Sequence, residues 1–146
     1  MIANIALSLV FGVLITVHIS MNARAGTLAG SAALVNVVFW IVGAVSSAVL
    51  ALPQLGAAPL AALGRVPLAL LLSGVIGGGV ALFNTWMIPR IGIAAFSLLI
   101  ILGQLSASAV LARTGFLGAM IEPMPISRIA GLALVAAGTA LFLFGK

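Results

Sequence analysis

The chain has 146 residues, of which 64 % are hydrophobic and 5 % are charged, and its mean hydropathy is +1.44. A soluble domain carries about 25 % charged residues, so this composition excludes a soluble globule and indicates an integral membrane protein. The six Lys and Arg residues and the one acid give a net charge of +5. The basic residues are widely spaced, however, and nucleic-acid binding requires a basic cluster or stripe. With no Cys, one His and one acid, the chain lacks the residues for a catalytic triad or a zinc site. We therefore expect neither an enzyme, nor a metal site, nor a cofactor.

Five apolar runs follow one another along the chain, each bounded by charges, glycine or proline. They cover residues 2–22, 28–52, 67–88, 91–112 and 126–144. A helix of about 20 residues crosses the hydrocarbon core of a bilayer, and none of the runs shows the alternation of barrel strands. The sequence therefore predicts an all-α membrane protein, a single domain of five transmembrane helices, with all six prolines at helix ends or in connectors and irregular backbone between Pro53 and Pro67.

The first run has one competing interpretation, a cleaved secretory signal peptide. The tripeptide Ala23, Arg24 and Ala25 resembles a cleavage site of small residues. No Lys or Arg precedes the apolar stretch, however, and a signal peptide carries a basic region there. We therefore expect the first run to be a transmembrane helix.

The basic residues carry almost no orientation signal. Five spans place three of them on each face of the membrane: Arg65, Arg113 and Arg128 on one, and Arg24, Arg90 and Lys146 on the other. Since excess Lys and Arg normally mark the cytoplasmic face, the tie is either accidental or indicates dual topology. In dual topology, copies insert both ways up and pair antiparallel, which yields the inverted repeats of secondary transporters. We favour dual topology.

Polar and aromatic side chains within the spans are the candidates for substrate binding, because such residues usually face a bundle interior or a cavity. They are His18, Asn22, Asn36, Trp40, Asn84 and Gln104. Interhelical hydrogen bonding is the alternative role for these polar side chains. Trp40 lies near mid-span instead of in the interfacial belt, where we place Trp86 as an anchor. Histidine changes protonation near neutral pH, so proton coupling through His18 is a further hypothesis.

Glycines in the second and third spans indicate close helix packing, because small residues let helix backbones approach in lipid. Gly74 and Gly78 are four residues apart on one helix face, and Gly43 and Ser47 repeat this spacing in the second span. The triplet that includes Gly77 and Gly78 also loosens the third helix. We therefore assign Gly43, Gly74, Gly77 and Gly78 to helix packing or to a hinge.

Short segments along nearly the whole chain carry a family resemblance. They are residues 18–22 (HISMN), 30–34 (GSAAL) with Gly43, 74–78 (GVIGG), 89–92 (PRIG), 103–105 (GQL), 115–118 (GFLG) and 128–131 (RIAG). In order and spacing they resemble the small YdcZ-type bacterial membrane proteins of the drug/metabolite transporter (DMT) superfamily. The resemblance implies five helices per chain, location in the bacterial inner membrane, and two chains forming a ten-helix inverted-repeat bundle. The chain departs from the family pattern at His18, where Gln is usual, and at Ala112, where an Asp is usual.

These observations together predict a multi-pass secondary transporter that exports a small organic metabolite or drug, of cationic or amphipathic character, by alternating access. Its partners would be the lipid bilayer, the small-molecule substrate and a second copy in an antiparallel homodimer, with the site between the subunits. Two alternatives stay open. The chain could be a non-transporting regulatory or structural subunit, or one half of an obligate heteromeric transporter.

Overall fold

The computed structural model describes residues 2–118 and 120–145, with Ala3 and Ala57 described by their backbone alone. Within these residues the chain forms seven α-helices and no β-strand. The helices are α1 (Ile2–Ala29), α2 (Ala32–Ala51), α3 (Ala57–Leu63), α4 (Leu68–Leu71), α5 (Ser73–Ile91), α6 (Ile93–Thr114) and α7 (Ile126–Phe144). Five stretches of helix in the described chain are long and apolar enough to cross a membrane: 4–29, 32–54, 68–91, 93–114 and 126–144. The predictions of an all-α chain and of five membrane-capable helices are confirmed.

The first helical hairpin turns later than the apolar runs suggest. Helix α1 continues past residue 22 to Ala29, so Arg24 lies within the helix. It ends at Gly30, whose φ of 65° lies in the left-handed region that glycine adopts without strain. Helix α2 then begins after Ser31, whose hydroxyl accepts a hydrogen bond from the backbone N–H of Leu34 at 3.2 Å. This serine cap satisfies one of the N–H groups left open at a helix start.

The connector between the second and third spans is more regular than expected. It contains a 3₁₀ turn at Leu52–Gln54 and the short helix α3. Pro89, which we expected to end the third span, lies inside the last turn of α5. Because proline has no N–H, the carbonyl of Thr85 loses its usual partner in the helix, but the helix ends only at Gly92, where φ is 81°. The expectation that every proline lies at an end or in a connector is therefore wrong for Pro89.

The chain divides into two compact units, residues 1–90 and 91–146. In the first unit α1 packs along α2, and in the second α6 packs along α7. The single five-helix domain stays a prediction.

Very few side chains in the described parts of the chain are buried. The buried apolar residues are Ala23, Ile88 and Phe96, and the buried polar ones are Thr85 and Thr139. Large apolar side chains are instead exposed along all five long helices. Exposed apolar area on this scale is typical of a membrane or subunit surface, so the helices present their outer faces to lipid or to further protein.

Candidate functional site

Helices α1 and α5 meet at Thr85, whose side chain is 2 % exposed. The Thr85 hydroxyl accepts a hydrogen bond from Nδ2 of Asn22 at 3.1 Å and donates one to the carbonyl of Ala81 at 2.9 Å. Opposite it lies Gly26, where an added Cβ would come within 2.6 Å of Cγ2 of Thr85. Gly26 therefore permits the close approach of the two helices. The structure places the sequence-predicted Asn22 in this contact, where it joins two helices.

Helices α2 and α5 meet at the predicted glycines. Asn36 donates a hydrogen bond from Nδ2 to the carbonyl of Gly78 at 3.2 Å. One turn further along α2, the indole of Trp40 lies against Gly77, where an added Cβ would be 3.4 Å from Cη2 of the ring. Gly77 and Gly78 thus make room for a tryptophan near the middle of the span. Gly43 and Gly74 have open space around an added Cβ within the described chain, so close packing at these two positions stays a prediction.

A row of aromatic rings links α1 to α2, beside the contact between Trp40 of α2 and Gly77 of α5. The ring of His18 lies 5.0 Å from the ring of Phe39, inclined by 33°. Phe39 in turn meets Trp40 edge-on at 5.4 Å. Phe39 was not among the predicted site residues, because the candidates were polar side chains and tryptophan. Its position next to Trp40 was the one feature of the sequence that could have indicated Phe39 as a site residue.

Two amide oxygens in the first unit are buried without a hydrogen-bond partner among the described residues. They are Oδ1 of Asn36 and Oδ1 of Asn84. Burying a polar atom without a partner is unfavourable, and a bilayer supplies no water to compensate. Both atoms are acceptors, so a group that bonded to them would have to bring N–H or O–H donors. Trp40 has an exposed fraction of 41 %, and part of its indole is therefore accessible on the same helix as Asn36.

The six predicted binding residues fall in both units. His18, Asn22, Asn36, Trp40 and Asn84 belong to the first unit, whereas Gln104 is exposed on α6 of the second. A site that includes all six stays a prediction. No group of three or more His, Cys, Asp or Glu side chains that could hold a metal lies in the described part of the chain.

The last turn of α5 carries a tryptophan–arginine pair. The guanidinium of Arg90 lies 3.8 Å from the centroid of the Trp86 ring, and its Nη1 donates to the carbonyl of Trp86. Such a cation–π contact is stabilising. An aromatic ring with an adjacent charge at a helix end suits the membrane–water interface, as we expected for Trp86.

The second unit contains a groove between α6 and α7 that we did not predict. After α6 the chain turns back, and the backbone N–H of Glu122 donates to the carbonyl of Ala112 at 3.0 Å. Glu122 thereby lines the groove beside Ala112. Its Oε2 accepts a hydrogen bond from Nη1 of Arg128 at 2.5 Å, which makes the two side chains an ion pair. The resemblance implies an Asp at the position of Ala112, and the structure brings the chain's one carboxylate to this neighbourhood from the loop instead.

Comparison with known families agrees with this architecture. The family model described as "Putative inner membrane exporter, YdcZ" matches residues 3–141, which is nearly the whole chain. No curated protein and no solved structure matches the chain significantly. The match and the five membrane-capable helices identify the chain as a member of the YdcZ family and as a multi-pass protein of the inner membrane.

Proposed function

We propose that the protein exports a small organic cation by alternating access, as an antiparallel homodimer with ten helices. The membership in an exporter family supports a transporter role. The observation that carries the choice of substrate is a pair of buried amide oxygens, on Asn36 and Asn84, that have no hydrogen-bond partner in the described part of the chain. They lie on the two helices that Trp40 bridges. A substrate with a protonated amine supplies the hydrogen-bond donors that both oxygens lack.

The chemistry of these groups favours a positive ligand over a negative one. An amide oxygen is the negative end of a dipole, and the face of an indole ring attracts cations. The one acidic side chain, Glu122, lies outside the five long helices, so the attraction for a cation between the helices would come from the amide oxygens and the indole ring. An anion placed between amide oxygens and an indole face would meet repulsion from both. A neutral sugar would gain hydrogen bonds but would leave the indole face without a charge partner.

The equal number of basic residues on the two membrane faces supports the antiparallel pairing. Each face of a five-span chain carries three basic residues, so neither orientation is favoured by the distribution of Lys and Arg. An odd number of spans turns two oppositely inserted copies into an inverted repeat, the architecture in which secondary transporters bind substrate near the bilayer midplane. Trp40 and Gly77 lie near the middle of their spans, 32–54 and 68–91, at the corresponding depth.

The test measures binding and proteoliposome uptake of primary amines. A quaternary amine, which has no N–H donor, a neutral amino acid and a sugar are the comparison compounds. A desolvated cation–π contact contributes about 2 kcal/mol, so Trp40→Leu should weaken amine binding by about thirtyfold, since 1.4 kcal/mol is a factor of ten. Trp40→Phe keeps an aromatic face and should lose only a few fold. Trp86→Leu is the matched control, because Arg90 already occupies that ring.

Two results would contradict the proposal. In the first, amines bind Trp40→Leu as tightly as the wild type. In the second, no compound of any class binds or crosses the membrane, as expected of a non-transporting subunit or of half a heteromer.

A further inference from the structure

The groove between α6 and α7 is apolar and long enough to hold part of one lipid chain. It has a volume of about 610 Å³, and apolar side chains line most of it: Leu105, Ala109, Ile129, Leu132 and Val135. Along α7 it extends from Arg128 to Val135, about 10 Å at a rise of about 1.5 Å per residue. The hydrocarbon core of a bilayer is about 30 Å thick. The groove therefore extends from one membrane surface through much of one leaflet.

A pair of opposite charges closes the groove at the end where α7 begins. Glu122 and Arg128 form the ion pair, and their side chains are 43 % and 51 % exposed. An exposed ion pair is weak, because water screens both charges, so each member can also bind a charge from outside the chain. The described hydrogen bonds of the Arg128 guanidinium use Nη1 alone, which donates to Oε2 of Glu122 and to the carbonyl of Pro123. Its guanidinium has further N–H donors, and Oε1 of Glu122 is a further acceptor.

We infer that this groove binds one phospholipid with an ethanolamine-type headgroup. Its phosphate binds Arg128, its primary ammonium binds Glu122, and an acyl chain lies along the apolar groove. An anionic headgroup would satisfy Arg128 but would be repelled by Glu122, whereas a zwitterion with N–H donors complements both charges. A second copy of the chain fits less well, because it carries six basic residues and a single acid and therefore offers almost no anionic group for Arg128.

Native mass spectrometry of the full chain in detergent tests the acyl-chain part of the inference. Phosphatidylethanolamine and phosphatidylglycerol with identical acyl chains are the probes. Gly131 lines the groove, whereas Gly138, seven residues further along the same helix, is not among the residues that line it. At both positions an added Cβ would have no described atom within 4 Å. Gly131→Leu should therefore weaken phosphatidylethanolamine binding at least tenfold, and Gly138→Leu should change it less than twofold.

The headgroup part is tested by substitutions that keep the groove open. The wild type should bind phosphatidylethanolamine at one lipid per chain and about tenfold more tightly than phosphatidylglycerol. Glu122→Gln should abolish this preference, and Arg128→Gln should weaken both lipids, whereas Arg113→Gln, outside the groove, should change neither. Tighter binding of phosphatidylglycerol by the wild type, or equal binding of the two lipids, would overturn the inference. A Gly131→Leu variant that binds lipid normally but changes oligomeric state would overturn it too, and would identify the groove as an interface between copies.

Discussion

The contact between Gly26 and Thr85 makes a sharp prediction for Gly26→Ala. The new methyl group would lie 2.6 Å from Cγ2 of Thr85, which is well inside van der Waals contact. Thr85 cannot simply rotate away, because its hydroxyl is held by Asn22 at 3.1 Å and by the carbonyl of Ala81 at 2.9 Å. Any rotation about its Cα–Cβ bond moves the methyl and the hydroxyl together. The substitution therefore either separates α1 from α5 or breaks these hydrogen bonds.

The expected magnitude follows from three contributions. Overpacking a close contact costs about 1–3 kcal/mol, and an interhelical hydrogen bond in a membrane contributes about 0.6 kcal/mol. Replacing glycine by alanine within a helix stabilises it by up to about 1 kcal/mol. Overpacking is the largest of the three, so Gly26→Ala should lower the free energy of unfolding by about 1–2 kcal/mol.

Reversible unfolding in mixed detergent micelles measures this change, with Gly12→Ala on the same helix as the control. An added Cβ at Gly12 meets open space, so that variant should be as stable as the wild type or slightly more stable. Thr85→Ala removes the clashing methyl, and the double variant Gly26→Ala/Thr85→Ala should be at least 1 kcal/mol more stable than the sum of the two single changes predicts. Equal stability of Gly26→Ala and Gly12→Ala would refute the reasoning.

Two further substitutions separate function from stability. Asn36→Leu removes the hydrogen bond to Gly78, but it also removes the buried Oδ1 that has no partner among the described residues. The free energy of unfolding should therefore change by less than about 1 kcal/mol, while amine transport falls. A loss of stability as large as the loss of transport would contradict a binding role. His18→Gln tests proton coupling: if His18 carries the proton, the dependence of transport on pH should disappear, and an unchanged pH profile would exclude this role.

The sequence predicted the helices well because their signal is local. Apolar length alone identifies a membrane-spanning helix. Helix ends were harder, since they depend on single turns. Gly30 and Gly92 adopt positive φ angles and end their helices, whereas Pro89 leaves α5 intact through its last turn.

The sequence pattern did not predict the contacts between segments that are far apart in the chain. Gly26 and Thr85 come together only through packing between helices far apart in the chain. Glu122 lies in the loop before α7, and no pattern in the neighbouring sequence predicts that its backbone returns to Ala112. By contrast, Asn36 and Trp40 were predicted from their polarity and depth, and the structure places both against the predicted glycines of α5.

Cysteine labelling of intact cells tests the antiparallel arrangement most directly. The chain contains no Cys, so single substitutions Leu28→Cys and Met120→Cys, at positions 71 % and 81 % exposed, each provide one reactive site. Counting spans, these two positions lie on opposite faces of the membrane. If copies insert in both orientations, a membrane-impermeant maleimide should label about half of each variant. Complete labelling of one variant and none of the other would contradict the antiparallel pair.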